Sequence, residues 1–194
     1  MLCGIDEAGR GPLAGPVCAA AVILPENFSV NLLADSKKLT PAARETAKNV
    51  ICREAVAWGI GWASAAEIDE INILKASLLA MKRAFNLMCE NNTEIFYHGV
   101  TERETKIKAI IDGLHIPDIP VPCEALVKAD NIIPAVMAAS ILAKTARDRL
   151  MEYYSIFCPL YGYEKHKGYP TKAHREAILR FGPSPIQRMS FNCR

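Results

Sequence analysis

Residues 2–12 read Leu2-Cys3-Gly4-Ile5-Asp6-Glu7-Ala8-Gly9-Arg10-Gly11-Pro12, an apolar stretch that runs directly into two acids and a glycine-rich turn. Residues 2–5 predict a short buried strand, and the turn at residues 9–12 ends it because glycine and proline favour sharp changes of direction. Asp6 and Glu7 directly follow this strand, where a protein core rarely places two carboxylates. The opening therefore predicts a strand that delivers acids to the edge of a sheet.

The rest of the chain predicts strands that alternate with helices. The apolar run at residues 17–24 is typical of a strand buried on both faces, although its periodicity alone leaves a helix open. Ser64 and Glu67 predict a capping box for the clearest helix, whose apolar positions step by three and four as far as Met88. Further strands are predicted at residues 55–63, 108–112 and 125–128, and further helices at residues 41–53, 134–154 and 171–180. This order predicts the α/β class, with a central mixed sheet flanked by helices.

The composition excludes a disordered or membrane-spanning chain. The 194 residues are 51% hydrophobic and 23% charged, with a net charge of +2. No signal peptide or membrane-spanning run is visible, and the seven cysteines are scattered without paired spacing, so we expect a cytoplasmic protein with reduced thiols. Residues 161–194 hold seven basic residues and two acids, which leaves a net −3 for the first 160. This basic tail fits either a phosphate-facing patch or a solvated helix face.

Two further acids stand at predicted strand ends. Asp112 closes the apolar run at residues 109–111, and Asp130 follows the strand predicted at residues 125–128. Carboxylates at strand ends of an α/β sheet lie at its ligand-binding edge, and several of them together repel one another unless a cation neutralises them. Oxygen ligands without His or Cys favour Mg²⁺ or Mn²⁺ over zinc. Taken in isolation, Asp130 is better explained as a helix-capping acid, and Asp112 with Gly113 as an ordinary turn.

Five blocks of sequence, in the same order along the chain, resemble those of one enzyme family. Residues 4–17, Gly4-Ile5-Asp6-Glu7-Ala8-Gly9-Arg10-Gly11-Pro12-Leu13-Ala14-Gly15-Pro16-Val17, resemble the N-terminal signature of ribonuclease HII, the bacterial type 2 ribonuclease H. The later blocks are Asp35-Ser36-Lys37-Lys38-Leu39, Ile111-Asp112-Gly113, Ala138-Ala139-Ser140-Ile141-Leu142-Ala143-Lys144 and His166-Lys167-Gly168-Tyr169. The blocks span nearly the whole chain, which makes the resemblance specific.

The resemblance implies a fold, a reaction and a metal site. The fold is the ribonuclease H-like fold, as a single domain over residues 1–194 with a core at residues 1–155 and a C-terminal helical substrate-binding segment at residues 156–194. The reaction is hydrolysis of the RNA strand of RNA–DNA hybrids, with cleavage 5′ to single ribonucleotides in duplex DNA, by a two-metal-ion mechanism that leaves a 3′-hydroxyl and a 5′-phosphate. The implied catalytic, metal-binding residues are Asp6, Glu7, Asp112 and Asp130, with Mn²⁺ or Mg²⁺ as cofactor; Asp6 is expected to bridge two ions.

The resemblance also implies how substrate is recognised. Gly9, Arg10 and Gly11 match a loop whose main chain reads the ribose 2′-hydroxyl, which is the group that distinguishes RNA from DNA. Tyr169 matches an aromatic residue that packs on the sugar beyond the RNA–DNA junction, and Lys37 matches a lysine near the scissile phosphate. Without the resemblance, Tyr169 is a half-buried turn residue and Lys37 a surface lysine. The implied partners are RNA–DNA hybrids and DNA containing ribonucleotides. We expect the protein to act as a monomer and not to bind a membrane. A replication-clamp partner cannot be read from the sequence.

Some features depart from the family pattern. Pro170 follows Tyr169 and fixes one backbone angle there. Residues 90–106 form a long polar excursion, in which we expect an extra strand at residues 95–98; a misalignment there puts Asp112 in doubt, with Glu102 or Glu104 as substitutes. The chain also stops soon after residues 185–188, without a longer helical extension.

Three alternatives remain to be weighed against the type 2 enzyme. A type 3 ribonuclease H usually carries a longer N-terminal platform, whereas the catalytic strand here is expected to start at residue 2. A DNA junction nuclease is a second possibility. A binding module that has lost catalysis is disfavoured because all four acids are present.

Overall fold

The computed structural model describes residues 1–33, 40–93 and 107–192. The strands are β1 (Leu2–Ala8), β2 (Val17–Ile23), β3 (Ala57–Ala63), β4 (Lys108–Asp112) and β5 (Cys123–Leu126). The helices are α1 (Pro41–Glu54), α2 (Ala65–Glu90), α3 (Pro134–Phe157), α4 (Tyr163–His166) and α5 (Lys172–Phe181), with 3-10 turns at Val30–Leu32, Ala129–Asn131 and Pro159–Tyr161. The five strands form one mixed sheet in the order β3-β2-β1-β4-β5, flanked by helices as predicted.

The register of β1 sets the position of the first acid. β1 is antiparallel to β2 and parallel to β4, and the last aligned pair of the parallel ladder is Ile5 with Ile111. Asp6 and Asp112 are the next residues on their strands, so both lie at the same edge of the sheet. β5 is also parallel to β4, and its register places Leu126 beside Asp112.

The sheet is covered on both faces. One face packs against α2 through residues such as Met81, Phe85 and Met88, and the other against α1 and α3. Every residue of β2 is buried, which resolves the ambiguity of its apolar run in favour of a strand. Helix α3 crosses β1 closely, because a Cβ added to Gly4 would lie 2.1 Å from the carbonyl carbon of Ala135. Glycine at this position therefore brings the start of α3 against the central strand.

Several helix boundaries follow their sequence signals. Thr40 caps α1 by accepting a hydrogen bond from the Ala43 amide, and Ser64 and Glu67 form the predicted capping box of α2. α2 is not continuous, however, because Asn72 adopts a left-handed φ of 69°. Its side chain accepts a hydrogen bond from the amide of Lys75 and so caps the second segment, a role that asparagine performs readily.

Among the strands, β1 and β5 differ most from their predicted bounds. β1 continues to Ala8, so Asp6 and Glu7 lie within the strand instead of after it. β5 begins and ends upstream of the predicted residues 125–128. The strand expected at residues 95–98 lies outside the described residues.

The segment after α5 returns to the glycine-rich opening of the chain. The amide of Gly15 donates to the carbonyl of Ile186, and the amide of Arg188 donates to the carbonyl of Leu13. The tail is also tied to α2, because the Asp69 carboxylate accepts hydrogen bonds of 2.9 Å from the amides of Met189 and Ser190. No helix in the described ranges has the length and apolar character needed to cross a membrane.

Candidate active site

Three of the four predicted acids converge at one edge of the sheet. Asp6 comes from β1, Asp112 from the end of β4 and Asp130 from the 3-10 turn Ala129–Asn131. Each offers a carboxylate oxygen, and these oxygens all lie within 4.8 Å of one another. Asp6 is 5% exposed and Asp130 4%, so the cluster is sunk into the protein although its members carry charge.

The local structure around the two later acids bears on their alternative roles. Asp130 is not the N-cap residue of α3, because Ile133 occupies that position and provides no side-chain cap. Asp112 does precede a turn: Gly113 adopts a φ of +115° and donates its amide to the carbonyl of Leu126. The turn and the clustered carboxylate are compatible, because the turn begins only after Asp112.

The electrostatics of the cluster favour a cation. Burial raises the pKa of Asp6 well above its ordinary value, and the nearby charges of Glu7 and Asp112 raise it further, against a hydrogen bond from Ser140 that lowers it. Within the described residues, Oδ1 of Asp112 is buried without a hydrogen-bond partner. Buried carboxylate oxygens with unused lone pairs and no nitrogen or sulfur donors among them fit a hard divalent cation such as Mg²⁺ or Mn²⁺.

Glu7 does not belong to this three-acid cluster. Its Oε1 lies 3.3 Å from Nη1 of Arg10, with which it forms an ion pair at the surface. Burial raises the pKa of Glu7, and the Arg10 charge opposes that shift. Glu7 thus lies beside the cluster, at the wall of the adjoining cavity.

That cavity has a volume of about 430 Å³ and contains most of the predicted substrate-binding residues. Its lining residues are Glu7, Ala8, Gly9, Arg10, Gly11, Arg44, Ser140, Ile141, Lys144 and Tyr169. The predicted reader loop and the predicted sugar-packing tyrosine therefore share one cavity next to the acids. Lys37 lies outside the described residues, as do Glu102 and Glu104.

The two glycines of the loop have different structural roles. Gly9 has a φ of +99°, and a Cβ added to it would lie 2.0 Å from Nε of Arg147, so the fold itself requires glycine there. Gly11 does not adopt a left-handed φ, and the nearest atom to an added Cβ is Cε1 of Tyr169 at 3.9 Å. Packing inside the protein does not require glycine at position 11.

Tyr169 is held in place by its main chain while its ring remains accessible. Its amide donates to the carbonyl of His166 at 2.8 Å, and its carbonyl lies 3.0 Å from Nδ1 of His174. The residue is 39% exposed, and Nζ of Lys144 lies 5.6 Å from the centroid of the ring. The amide of Thr171 also donates to the Tyr169 carbonyl, so Pro170 is the middle residue of a tight turn.

The sequence analysis assigned no role in the site to several other residues around this cavity. Arg44, Ser140 and Lys144 line it, and Asp148 lies within 3.5 Å of Arg44 and 2.8 Å of Lys144. A signal was available for part of this set, because Ser140, Lys144 and Asp148 recur every four residues and therefore share one face of α3. Arg44 belongs to a different helix and gave no such signal.

Comparison with known proteins agrees with this geometry. The family model described as Ribonuclease HII matches residues 3–193. Ribonuclease HII of Treponema denticola is 57% identical over an alignment of 201 positions, which covers 98% of this chain and 98% of that protein.

Solved structures share the fold as well. RNase HII from Archaeoglobus fulgidus, solved in its complex with PCNA, is 26% identical with a TM-score of 0.69, over 100% of this chain and 97% of that one. Bst-RNase HIII in complex with Mn²⁺ superimposes with a TM-score of 0.77 over 99% of this chain and 67% of that one, and at 18% identity it shows the fold alone.

Proposed function

The chain belongs to the ribonuclease HII family, and we propose that it cuts duplex DNA on the 5′ side of a single embedded ribonucleotide. Family membership establishes the coarser activity: the protein is a metal-dependent ribonuclease H, an endonuclease that acts on RNA paired with DNA. The proposed cut leaves a 3′-hydroxyl and a 5′-phosphate. The observation that carries the proposal is that Gly11 and Tyr169 line one cavity, and that this cavity lies beside the three-acid cluster.

We assign Asp6, Asp112 and Asp130 as ligands of Mn²⁺ or Mg²⁺, with Glu7 as a further acid beside them. The clustering of their oxygens, the raised pKa of Asp6 and the unpartnered Oδ1 of Asp112 support this assignment. Two such ions, when bound, activate a water and stabilise the leaving oxygen of a phosphodiester. The protein's own contribution is to hold the carboxylates at fixed positions in a site that is largely withdrawn from solvent.

Recognition of the ribonucleotide is assigned to the main chain of Gly9, Arg10 and Gly11. A main-chain amide can approach a 2′-hydroxyl closely only if no side chain intervenes, and Gly11 provides that access without being required by the fold. Tyr169 would pack on the sugar that follows, where a deoxyribose fits and a 2′-hydroxyl crowds the ring. Because the loop contacts one sugar and the Tyr169 ring contacts the next, a single ribonucleotide in the duplex is enough for recognition.

We further propose that the protein works as a monomer in the cytosol. The residues assigned to the cavity are brought together within a single chain, so the proposed site does not require a second copy. The six cysteines in the described ranges are free, and Cys3 and Cys18 are buried, which fits a compartment that keeps thiols reduced. Lys37 remains our candidate for a contact with the scissile phosphate.

A duplex of defined sequence tests the proposed reaction. One strand carries a single ribonucleotide and an end label, and cleavage is followed with Mn²⁺ or Mg²⁺, with EDTA as the control. We expect one product whose 3′ end lies immediately before the ribonucleotide and carries a hydroxyl group. Cleavage of long RNA–DNA hybrids without cleavage of this duplex would leave the family activity intact and overturn the proposed single-ribonucleotide specificity.

A further inference from the structure

Two arginines are buried directly beneath the proposed reader loop. Arg147 on α3 is 1% exposed and Arg188, after α5, is fully buried. In the part of the chain that the structure describes, neither guanidinium lies within ion-pair distance of a carboxylate, and the hydrogen bonds that they donate go to main-chain carbonyls. Burial of a cation without an acid partner costs free energy. The carbonyl groups that the two arginines bind should therefore explain why both are buried.

Arg188 binds two carbonyls of the loop and one carbonyl of the segment that follows it. Its Nη2 donates to the carbonyl of Gly9 at 2.6 Å, its Nη1 to the carbonyl of Arg10 at 3.0 Å and its Nε to the carbonyl of Gly15 at 2.8 Å. A planar guanidinium presents these donors in a fixed fork, so it fixes the three carbonyls relative to one another. Burial, followed by the charge of Arg147, lowers the pKa of Arg188 to about 9.

Arg147 joins the loop to the turn that carries the tyrosine. It donates to the carbonyls of Pro16 at 2.9 Å, Ala14 at 3.2 Å and Lys167 at 3.0 Å. Lys167 lies two residues before Tyr169. One side chain therefore links the segment that follows the loop to the turn that precedes Tyr169, and its close packing against Gly9 is what excludes a Cβ there.

The direction of these carbonyls determines the direction of the loop amides. No peptide bond in the described chain is cis, and in a trans peptide the carbonyl and the following amide point in opposite directions. Because Arg188 binds the carbonyls of Gly9 and Arg10, the amides of Arg10 and Gly11 point away from Arg188, and both of these residues line the cavity.

We infer that Arg147 and Arg188 are positioning residues that turn the Arg10 and Gly11 amides toward the ribose and set the separation between the reader loop and Tyr169. The inference rests on the proposed recognition of a single ribonucleotide by this loop. It assigns selectivity for ribose to two side chains that do not touch the substrate. The amides of Met189 and Ser190 donate hydrogen bonds to the Asp69 carboxylate, and these bonds fix the segment that carries Arg188 against α2.

The test measures binding of two duplexes that differ by one 2′-hydroxyl. Dissociation constants are determined in Ca²⁺ for a DNA duplex with a single ribonucleotide and for the same duplex made of DNA alone. In R188M, whose side chain is similar in length and donates no hydrogen bond, we expect the ratio of the two constants to fall by about tenfold, the effect of losing one hydrogen bond to the ribose. The affinity for the all-DNA duplex should hardly change, because metal ligands and phosphate contacts remain.

Two further variants separate positioning from general damage. R188K keeps the charge but not the fork, so its ratio should fall between those of the wild type and R188M. R180M is the matched control: Arg180 lies on α5, exposed, with its guanidinium 5.1 Å from the ring of Phe181, and its loss should leave the ratio unchanged. A general loss of structure would instead weaken both duplexes together.

The outcomes are distinct. A folded R188M or R188K with the wild-type ratio overturns the inference, and leaves the proposed function in place. If R188M does not fold, the ratio of dissociation constants is measured in R188K and D69N instead. Wild-type ratios in both variants overturn the inference. A wild-type protein that binds the two duplexes equally overturns the proposed function itself, and the inference with it.

Discussion

Gly11 and Tyr169 are neighbours in the lining of the cavity, because a Cβ added to Gly11 would lie 3.9 Å from Cε1 of the tyrosine ring. Main chain and an aromatic ring meet at this part of the lining. A methyl group at position 11 would reach an ordinary van der Waals distance from the ring without a clash. A substitution at position 11 can therefore affect substrate binding without disturbing the packing of the fold.

The two loop glycines should therefore fail in different ways when replaced by alanine. G11A should fold with nearly wild-type stability, but the added methyl occupies the approach of the ribose, so we expect kcat/KM on a single-ribonucleotide duplex to fall by about tenfold or more. G9A should lose about 1–3 kcal/mol or more of unfolding free energy, because its φ is strained and its Cβ meets Arg147. Urea denaturation and steady-state cleavage measure both. Equal destabilisation of the two variants would contradict the distinction.

Asp112→Asn removes a charge from the cluster while it preserves size and shape. We expect cleavage to fall by on the order of a thousandfold, about 4 kcal/mol of transition-state stabilisation, with an unchanged melting temperature. Binding to an RNA–DNA hybrid should persist or improve, because repulsion between the cluster and phosphate decreases. D118N is the control, since Asp118 is an exposed carboxylate paired with Lys82 at the surface. Full activity in D112N would remove Asp112 from the site and redirect attention to residues 90–106.

Ca²⁺ should separate binding from hydrolysis. It is larger than Mg²⁺ and accepts looser geometry, so it should support substrate binding by the carboxylates but little turnover. Fluorescence anisotropy with a labelled hybrid measures binding, and gel analysis of the same samples measures cleavage. Rapid turnover in Ca²⁺, or in EDTA, would argue against the two-metal mechanism.

Tyr169→Ala should discriminate between substrates. Loss of a stacking aromatic typically costs about 1–3 kcal/mol, or roughly ten- to a hundredfold in rate. The loss should be greater on a single-ribonucleotide duplex than on a long hybrid, where no deoxyribose follows the cut. Lys37→Ala, as the loss of a phosphate contact, should weaken both substrates alike. If Tyr169→Ala affects the two substrates equally, the tyrosine is structural and recognition of the junction lies elsewhere.

The stability of the segment that carries Tyr169 should depend on pH through His174. This ring is fully buried and stacks on His166 at 4.5 Å, and burial lowers the pKa of both histidines. Below about pH 6.5 these two rings bind more protons in the unfolded chain than in the folded one, so their contribution to the unfolding free energy is fully present above that pH and declines as pH falls below it. Asp6 and Glu7, whose pKa values are raised, contribute in the opposite direction, so the test is the difference between wild type and H174Q in urea denaturation at pH 7.5 and 5.0. Acidification should destabilise the wild type more than H174Q, and an equal pH dependence in the two proteins would contradict this assignment.

The fold was readable from the sequence wherever its signals are local. The Thr40 cap, the Ser64–Glu67 capping box and the buried strand β2 all depend on residues close together in the chain, and each was predicted. The break at Asn72 was not predicted, because the apolar period continues across it and hides one residue in a left-handed conformation.

The site was only partly readable for a related reason. Acids at strand ends could be recognised one at a time, and the parallel pairing of β1 with β4 then brings Asp6 and Asp112 together. Arg147 and Arg188 gave no signal, since their partners are main-chain carbonyls far away in sequence. A carbonyl is present at every residue, so nothing in the sequence indicates which ones a buried arginine will bind.

The hydrogen bond between Arg188 and Gly9 spans 179 residues of chain. During synthesis, the three clustered acids are all available once residue 130 has emerged, but the loop that selects ribose has to wait for the last part of the protein. Contacts of such long range are slow to close, so we expect the loop to be the last feature to mature during folding. We therefore expect a nascent chain to hold its three acids before it can select ribose.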